Sequence, residues 1–342
     1  MDWFERLTGF REDGYEATRA RLAVEGGHLV SAVNGLRYGI GQFDTPTLGT
    51  LRATAPAGLP RRGTRTRVSC LTGDARALHR DPELAGATFQ VASQFNALEM
   101  VGPNVTPEHG VTRYMHDPTQ GPACAIAAGG ATIWRNYFAP VDGEHGQTAT
   151  RQIDTLAGLG AALSGQLERP VRSLWEMRNG YALATPDGLR DIGRALAEAS
   201  EDLRDQLRAE LAVAWHRDVD VTDVPGEARP RVSQVFCSAL PVAYTRLPPS
   251  AWEQFARLVL EAAYEATLRI AAATAADGGS AVVLLTRLGG GAFGNADSWI
   301  EDAINRALRV VEFEGLDVRL VSFGADHPSF VRTAARWAKG AG

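Results

Sequence analysis

The fold is decided by Ala281-Val282-Val283-Leu284-Leu285-Thr286-Arg287-Leu288-Gly289-Gly290-Gly291-Ala292-Phe293-Gly294-Asn295, in which an apolar run leads into a glycine-rich loop. A continuous apolar run of this kind predicts a strand in a sheet that helices cover on both faces. Downstream, residues 295–311 carry apolar side chains at helical spacing and predict a helix. The glycine loop is therefore expected between the end of a buried strand and the start of a helix.

The glycine loop is the first candidate for a binding site. Three consecutive glycines allow backbone NH groups to point inward, and the positive end of the following helix adds to their attraction for an anion. The loop therefore predicts a cradle for a diphosphate. The candidate ligand-binding residues are Gly289, Gly290, Gly291, Ala292, Phe293, Gly294 and Asn295. The alternative is that the glycines only form a tight turn from strand to helix.

The same loop also fits the GxGxxG pattern of dinucleotide-binding folds, at Gly289, Gly291 and Gly294. In those folds the motif opens the first strand–helix–strand unit, and an acidic residue follows about twenty positions later. Here one further strand is evident, at residues 318–323, and it ends without an acid. A dinucleotide cofactor is therefore not favoured, and no cofactor is predicted.

Other segments of the chain alternate between strand and helix patterns. Residues 232–237 predict a strand, and Thr185-Pro186-Asp187 is a helix start whose helix is expected to break near Ser200. Ser250 and Glu253 form a capping box, which predicts the start of an amphipathic helix. This alternation predicts an α/β fold with layers of helices on a buried sheet.

The first 80 residues predict a strand-rich preface to that fold. Strand-like runs occur at residues 29–33 and 67–71. Turn residues and a basic, proline-rich segment at residues 56–67 lie between them.

A strand and a long polar loop are expected after this preface. Residues 87–100 contain β-favouring side chains and predict a strand that ends near Asn96. The polar segment that follows continues to Gln120, and loops of that length often carry function.

The composition excludes several classes of protein. With 45% hydrophobic and 22% charged residues, the chain has ample material for a core and is not a disordered protein. Thirty-five basic and 40 acidic residues give a net charge of −5, so strong general binding of nucleic acid is not expected. No apolar run approaches the ~18 residues of a membrane span, and residues 1–6 do not resemble a signal peptide. Three scattered cysteines without a CxxC pair fit a reducing interior, so a cytoplasmic protein is expected.

Three segments together resemble one known family. They are the loop at residues 288–295, the strand at residues 234–238 with Tyr244 and an alanine-rich helix after it, and the strand leading to Asn96. Their order is similar to that of the macrodomain superfamily, within it the poly(ADP-ribose) glycohydrolase branch with its GCGAFG-type diphosphate loop. The resemblance implies a three-layer α/β/α fold with a mixed sheet that binds ADP-ribose, with Asn96 on a ribose and Phe293 near it. It also implies one elaborated domain over residues 1–342, with an N-terminal extension at 1–80 and an ADP-ribose-binding core at 81–342.

The sequence departs from that family at the expected catalytic segment. Hydrolases of the branch carry a GGG stretch after the asparagine and then a Gln-Glu-Glu segment with the catalytic acid. Here Asn96-Ala97-Leu98-Glu99 and Thr119-Gln120-Gly121-Pro122 stand in those places, so the acid cannot be carried over. Glu99 and Asp117 are the nearest carboxyl groups and become the candidate catalytic residues. Gln120, Gly121 and Tyr244 are further candidate ligand contacts.

Two other groups of residues have alternative interpretations. Glu108-His109 and His116-Asp117 contain metal-ligating residue types, but their spacing fits no established site, and a solvated loop is favoured over a metal. Trp134, Tyr137 and Phe138 offer an aromatic wall for a base, although packing in the core is the commoner role of such a cluster.

Two functions therefore remain open at the level of sequence. The first is a glycohydrolase that removes ADP-ribose from a modified target, and the second is a module that binds ADP-ribose or a related nucleotide without turnover. The absence of the acidic pair favours the module, whereas the long polar loop before Gln120, which is able to close over a ligand, favours the enzyme. A serine hydrolase and a P-loop protein are excluded, because neither GxSxG nor GxxxxGK[ST] occurs.

Overall fold

The computed structural model describes residues 1–54, 63–226 and 228–340. The strands in these ranges are β1 (Leu22–Glu25), β2 (His28–Ser31), β3 (Arg37–Gly39), β4 (Gln42–Asp44), β5 (Arg67–Thr72), β6 (Thr88–Ala92), β7 (Pro140–Val141), β8 (Glu144–His145), β9 (Trp175–Arg178), β10 (Tyr181–Ala184), β11 (Ala214–Asp220), β12 (Arg231–Cys237), β13 (Val282–Leu285) and β14 (Asp317–Ser322). The α-helices are α1 (Trp3–Thr8), α2 (Tyr15–Arg19), α3 (Leu48–Thr54), α4 (Ala75–Arg80), α5 (Gln120–Ala127), α6 (Gly129–Tyr137), α7 (Ala157–Leu167), α8 (Val171–Leu174), α9 (Pro186–Glu198), α10 (Glu201–Ala209), α11 (Pro249–Ala276), α12 (Asp297–Val310) and α13 (Pro328–Ala338). Short 3-10 helices lie at Pro82–Leu84, Pro107–His109, Thr112–His116 and Val242–Tyr244.

Seven of the strands form the central sheet, in the order β4-β11-β12-β6-β13-β14-β5. Strands β12, β6, β13, β14 and β5 run parallel to their neighbours in this group. Strand β11 is antiparallel to both β12 and β4. The expected mixed sheet is therefore confirmed.

Helices cover both faces of this sheet, which confirms the expected three layers. On β13, Val283 and Leu285 pack into a core with α11 and α12 on one face. Leu284 packs on the opposite face with Ala128 and Ala131, beside and within α6. Because both faces of β13 are covered, every position of the strand is apolar.

The residues before position 80 contribute to the central sheet as well as to a small sheet of their own. Strands β1 to β3 form a three-stranded antiparallel sheet, as a strand-rich preface predicts. Strands β4 and β5, however, form the two edges of the central sheet. The segment also contains four helices, α1 to α4, so it is mixed rather than mainly strand. Most of the predicted basic, proline-rich segment lies outside the described residues.

The helix start at Thr185 and the break near Ser200 are confirmed. The Thr185 hydroxyl accepts a hydrogen bond from the Gly188 amide, and the Ser200 hydroxyl accepts one from the Leu203 amide. Each side chain therefore satisfies a free NH at the start of its helix. The chain is helical on both sides of Ser200, with the break at this second cap.

The predicted capping box of Ser250 and Glu253 is wrong. Helix α11 begins at Pro249, and no side chain caps its first turn. A proline fits the first helical position because its φ is already helical and its missing NH needs no partner. The Ser250 side chain therefore lies inside the first turn rather than at the cap position.

Strand β6 ends at Ala92, four residues before the predicted end at Asn96. A tight turn follows the strand, because the Gln94 amide donates to Leu98 O and the Ala97 amide donates to Gln94 O. Ala97 adopts a left-handed conformation with φ +58° in this turn. These hydrogen bonds within the turn take the place of the bonds to neighbouring strands that would have continued β6.

In the described ranges, none of the helices combines the length and the apolar character required to cross a bilayer.

Candidate functional site

A cavity of about 430 Å³ lies at the carboxyl ends of the parallel strands. Its wall contains residues that directly follow β6, β12, β13 and β14, and ligand sites in α/β sheets form at this edge. The residues concerned are Ser93 and Gln94 after β6, Ala239 after β12, Thr286 and Arg287 after β13, and Phe323 after β14. The volume falls in the range of about 300–1,000 Å³ typical of small-molecule sites.

The cavity opens where β6 and β13 separate. The two strands pair only through Thr88 and Phe89 of β6. Beyond that point, the Gln120 side chain accepts a hydrogen bond from the Ala92 amide at 2.9 Å and donates one to Gln90 O at 2.8 Å. The Gln90 side chain in turn accepts one from the Thr286 amide at 3.3 Å. The Gln90 side chain therefore links β6 to the end of β13, and Gln120 on α5 uses both ends of its amide to bond the free backbone of β6.

The glycine loop is held rigidly against the turn that follows β12. Gly289 and Gly294 have φ of +71° and +74°, a conformation that favours glycine, and a Cβ on Gly289 would overlap that of Ala239. The Asn295 side chain donates to Leu240 O at 2.8 Å, and its backbone amide donates to Gly289 O at 2.9 Å. Asn295 therefore fixes the loop and does not line the cavity.

Four amides of this loop are free to bind a ligand. Within the three described ranges, the backbone NH groups of Gly289, Gly291, Ala292 and Phe293 donate to no protein acceptor, and all four residues line the cavity. Gly290 instead donates to Arg287 O and does not line the cavity. The loop thus presents a group of fixed donors to the cavity, which is the requirement for holding an anion.

An aromatic cluster of Tyr181, Tyr244 and Phe293 forms another part of the wall. The ring centroids lie 5.2 Å apart for Tyr181 and Tyr244, 5.4 Å for Tyr181 and Phe293, and 5.5 Å for Tyr244 and Phe293. The Tyr181 hydroxyl donates to Met100 O at 2.7 Å, and burial raises the pKa of this phenol. The cluster gives the cavity an apolar surface on which a base or a sugar ring can pack.

Glu99 lies at the buried end of the cavity, with only 2% of its surface exposed. Its two carboxylate oxygens are each 3.4 Å from Nη2 of Arg135, which is fully buried. Burial raises the pKa of Glu99 to about 7, and the charge of Arg135 opposes that rise. Glu99 is therefore able to hold or release a proton near neutral pH.

Asp117 and Gly121 line the same cavity as Glu99. The Asp117 carboxylate accepts a hydrogen bond from the Thr119 amide at 2.9 Å and remains partly exposed. A Cβ on Gly121 would overlap Ala92 O and would lie 3.2 Å from Cγ of Glu99. The first turn of α5 thus packs too closely against β6 for a side chain at position 121.

The structure does not bring Asn96 into the cavity. Asn96 is fully buried, its amide donates to the Gln152 side chain at 2.9 Å, and its side-chain oxygen accepts from the Leu98 amide. Gln94 lines the cavity instead, with Oε1 accepting from the Met100 amide at 2.7 Å. Its Nε2 donates to no acceptor among the described residues, which leaves a polar donor for a ligand.

Sequence reasoning missed Gln94, Tyr181 and Arg135. Gln94 falls in a segment that the strand prediction covered, and Tyr181 lies in the β9–β10 hairpin, far from the glycine loop in sequence. Arg135 lies in α6, a helix rich in small residues in which a role was considered only for the aromatic side chains. A charged residue within such a helix was the available signal, because a buried arginine requires a partner.

The remaining predicted residues take up structural contacts. Glu108 accepts a hydrogen bond from the Ala149 amide, and His109 bonds within its own turn to Thr106. In the described part of the chain, no group of three or more metal-ligating side chains comes together. Tyr137 is buried, and Trp134 packs against Phe43. Neither aromatic residue lines the cavity.

No protein-family model matches the sequence, and neither does any curated protein. A poly(ADP-ribose) glycohydrolase from Deinococcus radiodurans, solved in complex with ADP-ribose, matches with 12% identity and a TM-score of 0.41, covering 97% of this chain and 99% of that one. The poly(ADP-ribose) glycohydrolase from Thermomonospora curvata matches with 16% identity and a TM-score of 0.40, covering 94% of this chain and 95% of that one. Along nearly its whole length, the chain is thus similar, at low sequence identity, to bacterial poly(ADP-ribose) glycohydrolases.

Proposed function

We propose that this protein binds ADP-ribose and hydrolyses the bond between its terminal ribose and a modified target. The observation that carries the proposal is the group of unpaired amides at Gly289, Gly291, Ala292 and Phe293 in the wall of the cavity. Backbone donors of this kind bind phosphate oxygens without requiring a positive side chain.

A diphosphate is the anion that best suits the loop. Arg287 lines the cavity, but its guanidinium pairs with Asp297 at 2.7 Å, so its charge is largely neutralised. The amides therefore supply most of the attraction, and several adjacent donors match the several oxygens of two linked phosphates. On either side of this diphosphate, the aromatic cluster supports a ring by packing and Gln94 Nε2 donates to a hydroxyl.

Glu99 is the proposed acid of the reaction. In its protonated form it gives a proton to the leaving oxygen as the bond from the anomeric carbon to that oxygen breaks. Water then adds to the anomeric carbon, and its surplus proton returns to the Glu99 carboxylate. A group with a pKa of about 7 is suited to both steps, because its two protonation states are similarly populated near neutrality. Asp117 is another carboxyl in the cavity wall, and its proposed role is to orient the attacking water.

The second candidate function is a binding module without turnover. It is favoured by the close pairing of Glu99 with Arg135 and by its 2% exposure, since a carboxyl that is fixed in this way has limited access to a ligand. The absence of a side chain at Gly121, in the segment where the resemblance implies an acid, points in the same direction. Both functions place the diphosphate on the same loop.

Two measurements test these functions separately. Calorimetry with ADP-ribose, ADP and ribose 5-phosphate tests the shared claim, with ADP-ribose expected to bind most tightly. Release of ADP-ribose from a mono- or poly(ADP-ribosyl)ated protein tests the chemistry in the wild type, Glu99→Gln and Asp117→Asn. We expect Glu99→Gln to reduce the rate by about 10²–10⁴-fold, the usual contribution of a general acid. Binding without release would leave the module as the function, and absence of binding would refute both.

The proposed target and place of action follow the same chemistry. An ADP-ribosylated macromolecule presents the ligand at its surface, where an open cavity can receive it. The cysteines Cys70, Cys124 and Cys237 are all unpaired, which suits a reducing compartment such as the cytoplasm.

A further inference from the structure

We propose that Arg135 is the positioning residue of this site, because it clamps the turn that carries Glu99 and balances the charge of the Glu99 carboxylate. This inference rests on the proposed function, in which Glu99 is the acid. It assigns to Arg135 a role in presenting that acid, without contact with the substrate.

The clamp is a short hydrogen bond from Arg135 to the backbone of the turn. Nε of Arg135 donates to Ala97 O at 2.6 Å, and Ala97 is the residue with φ +58°. A left-handed alanine is strained, so it persists only where its surroundings fix it. The Gln147 side chain adds a second support by donating to Asn96 O at 3.2 Å. Arg135 therefore helps to hold a strained turn two residues before Glu99.

The guanidinium itself is held in a fixed plane. It lies over the Phe236 ring at 3.8 Å from the centroid, on the sheet strand β12. From that plane, Nη2 is placed 3.4 Å from both Glu99 oxygens and 3.5 Å from the Thr132 hydroxyl. The arginine thus joins α6, the sheet and the turn at one point.

Stability alone does not account for this arrangement. Arg135 is fully buried, and its Nη1 has no hydrogen-bond partner among the described residues. A buried ion pair with long contacts and an unsatisfied donor generally contributes less than an apolar replacement of the same volume. Its position directly behind a cavity-lining carboxyl instead indicates a role at that carboxyl.

Four titratable groups from separate segments of the chain lie near Glu99 or line the same cavity. Arg135 lies on α6, and Tyr114 of the 3-10 helix Thr112–His116 accepts a hydrogen bond from the Glu99 amide at 3.1 Å. Cys124 on α5 interacts electrostatically with Glu99, and burial raises the pKa of this thiol, so it stays neutral. Asp117 lines the same cavity. Arg135 is therefore the cation that faces Glu99, and without it the effect of burial on the pKa of Glu99 is opposed less.

The direct test is to titrate the Glu99 carboxyl by NMR in protein labelled at the glutamate carboxyl carbon, with the signal assigned from Glu99→Gln. In Arg135→Gln we expect the titration of Glu99 to move upward by about one pH unit, a tenfold change in proton affinity. In Arg135→Lys the charge remains, so the titration should stay closer to that of the wild type. The matched control is Arg208→Gln, since Arg208 is a buried, ion-paired arginine on α10 that should not affect Glu99.

Kinetics on a modified target give the second readout. In Arg135→Gln the acid is weaker and the Ala97 clamp is lost, and together these changes should lower kcat below pH 7 about tenfold while KM changes less than about threefold. The alkaline limb of the pH profile should move upward with the NMR titration. Arg135→Lys should lose kcat through the missing Ala97 clamp without moving that limb.

The outcomes separate this inference from the proposed function. An unchanged Glu99 titration in folded Arg135→Gln, or an Arg135→Lys variant with wild-type kcat, would overturn the role of Arg135. If Arg135→Gln does not fold, Arg135→Lys alone decides the clamp. A shifted titration in a protein that binds but never releases ADP-ribose would instead refute the hydrolase and leave the charge balance established.

Discussion

The Nε2 atom of His79 accepts a hydrogen bond from the side-chain amide of Gln234 at 3.0 Å, so this imidazole is neutral. The orientation of the glutamine amide is fixed because the same nitrogen also donates to Cys124 O at 2.9 Å. The other ring nitrogen of His79 lies 2.7 Å from Ala75 O and must carry the proton. Protonation of Nε2 would therefore place two donors against each other in a fully buried site.

Acid should destabilise the protein through two buried histidines. Burial lowers the pKa of His79 to about 4 and that of His216 to about 3, whereas both titrate near the ordinary 6.5 when unfolded. Their stabilising effect is thus complete above pH 6.5 and is lost as pH falls toward the folded pKa. We expect each histidine to remove about 2 kcal/mol from the free energy of unfolding between pH 7 and pH 5. Urea unfolding across that range measures the loss, and an equal pH dependence in wild type and His79→Gln would contradict it.

Gly291→Val should block ligand binding and leave the fold intact. A Cβ at Gly291 meets no atom within 4 Å, and Gly291 lines the cavity among the free amides, so a valine there adds bulk at the site of the proposed diphosphate. We expect ADP-ribose affinity to fall by at least about tenfold, or 1.4 kcal/mol, in calorimetry. Gly193→Val is the control, because Gly193 also has open space around it and lies on α9, outside the cavity. Wild-type affinity in Gly291→Val would place the ligand elsewhere.

Gly121→Ala should destabilise the protein. The added methyl group would overlap Ala92 O, so α5 must move away from the end of β6 and strain the hydrogen bonds between Gln120 and β6. We expect a loss of about 1–3 kcal/mol in chemical unfolding, as overpacking usually costs. Gly165→Ala on α7 has no atom within 4 Å of its new Cβ and should be neutral or stabilising by up to about 1 kcal/mol. Equal stability of the two variants would show that α5 has room at this position.

Glu265→Gln should be strongly destabilising. The Glu265 carboxylate on α11 pairs with Arg52 of α3, Arg306 of α12 and Arg269 of its own helix, and the hydrogen bonds lower its pKa to about 2 although burial opposes them. Removal of its charge leaves Arg52 and Arg306 with Asp205 as their remaining partner and breaks the pair with Arg269, and we expect a loss of about 3–5 kcal/mol.

The ion pairs of Glu265 also predict a second loss of stability in acid, at a lower pH than the loss caused by the histidines. The folded pKa of Glu265 lies below the ordinary 4.5, so its contribution is present above pH 4.5 and is lost as pH falls toward 2. Arg190→Gln is the control, because the exposed pair of Arg190 and Asp187 should change stability by less than about 0.5 kcal/mol. A Glu265→Gln variant as stable as Arg190→Gln would contradict the prediction.

The sequence predicted those parts of the fold in which local pattern and tertiary structure agree. The β13 run is apolar at every position because both of its faces are covered, and Thr185 caps its helix with a bond inside one turn. The prediction of a capping box at Ser250 was wrong because the helix already begins at Pro249, whose fixed φ and missing NH suit the first helical position. The end of β6 was misplaced because the turn after it is held by hydrogen bonds between Gln94, Ala97 and Leu98 and also by the contact of Ala97 with Arg135, on another element.

Among the residues that line the cavity, those of the glycine loop could be predicted from the sequence, and the others less so. Conformational freedom at Gly289 and Gly294 is a local property and can be read from the residue type. The proximity of Tyr181 and Gln94 to that loop arises from long-range packing, which leaves no local signal. Asn96 was expected to contact the ligand, but it is buried, and its side chain is bonded to the Gln152 side chain and the Leu98 amide.

The separation of β6 from β13 has a consequence for the rate of recognition. The side chains of Gln120 and Gln90 bond to protein groups at the point where the strands part, so the separation is held by contacts within the protein. A ligand that enters needs no hinge movement and meets donors already in place. Association should therefore depend on diffusion and orientation rather than on a slow rearrangement, and little ordering entropy remains to be lost on binding.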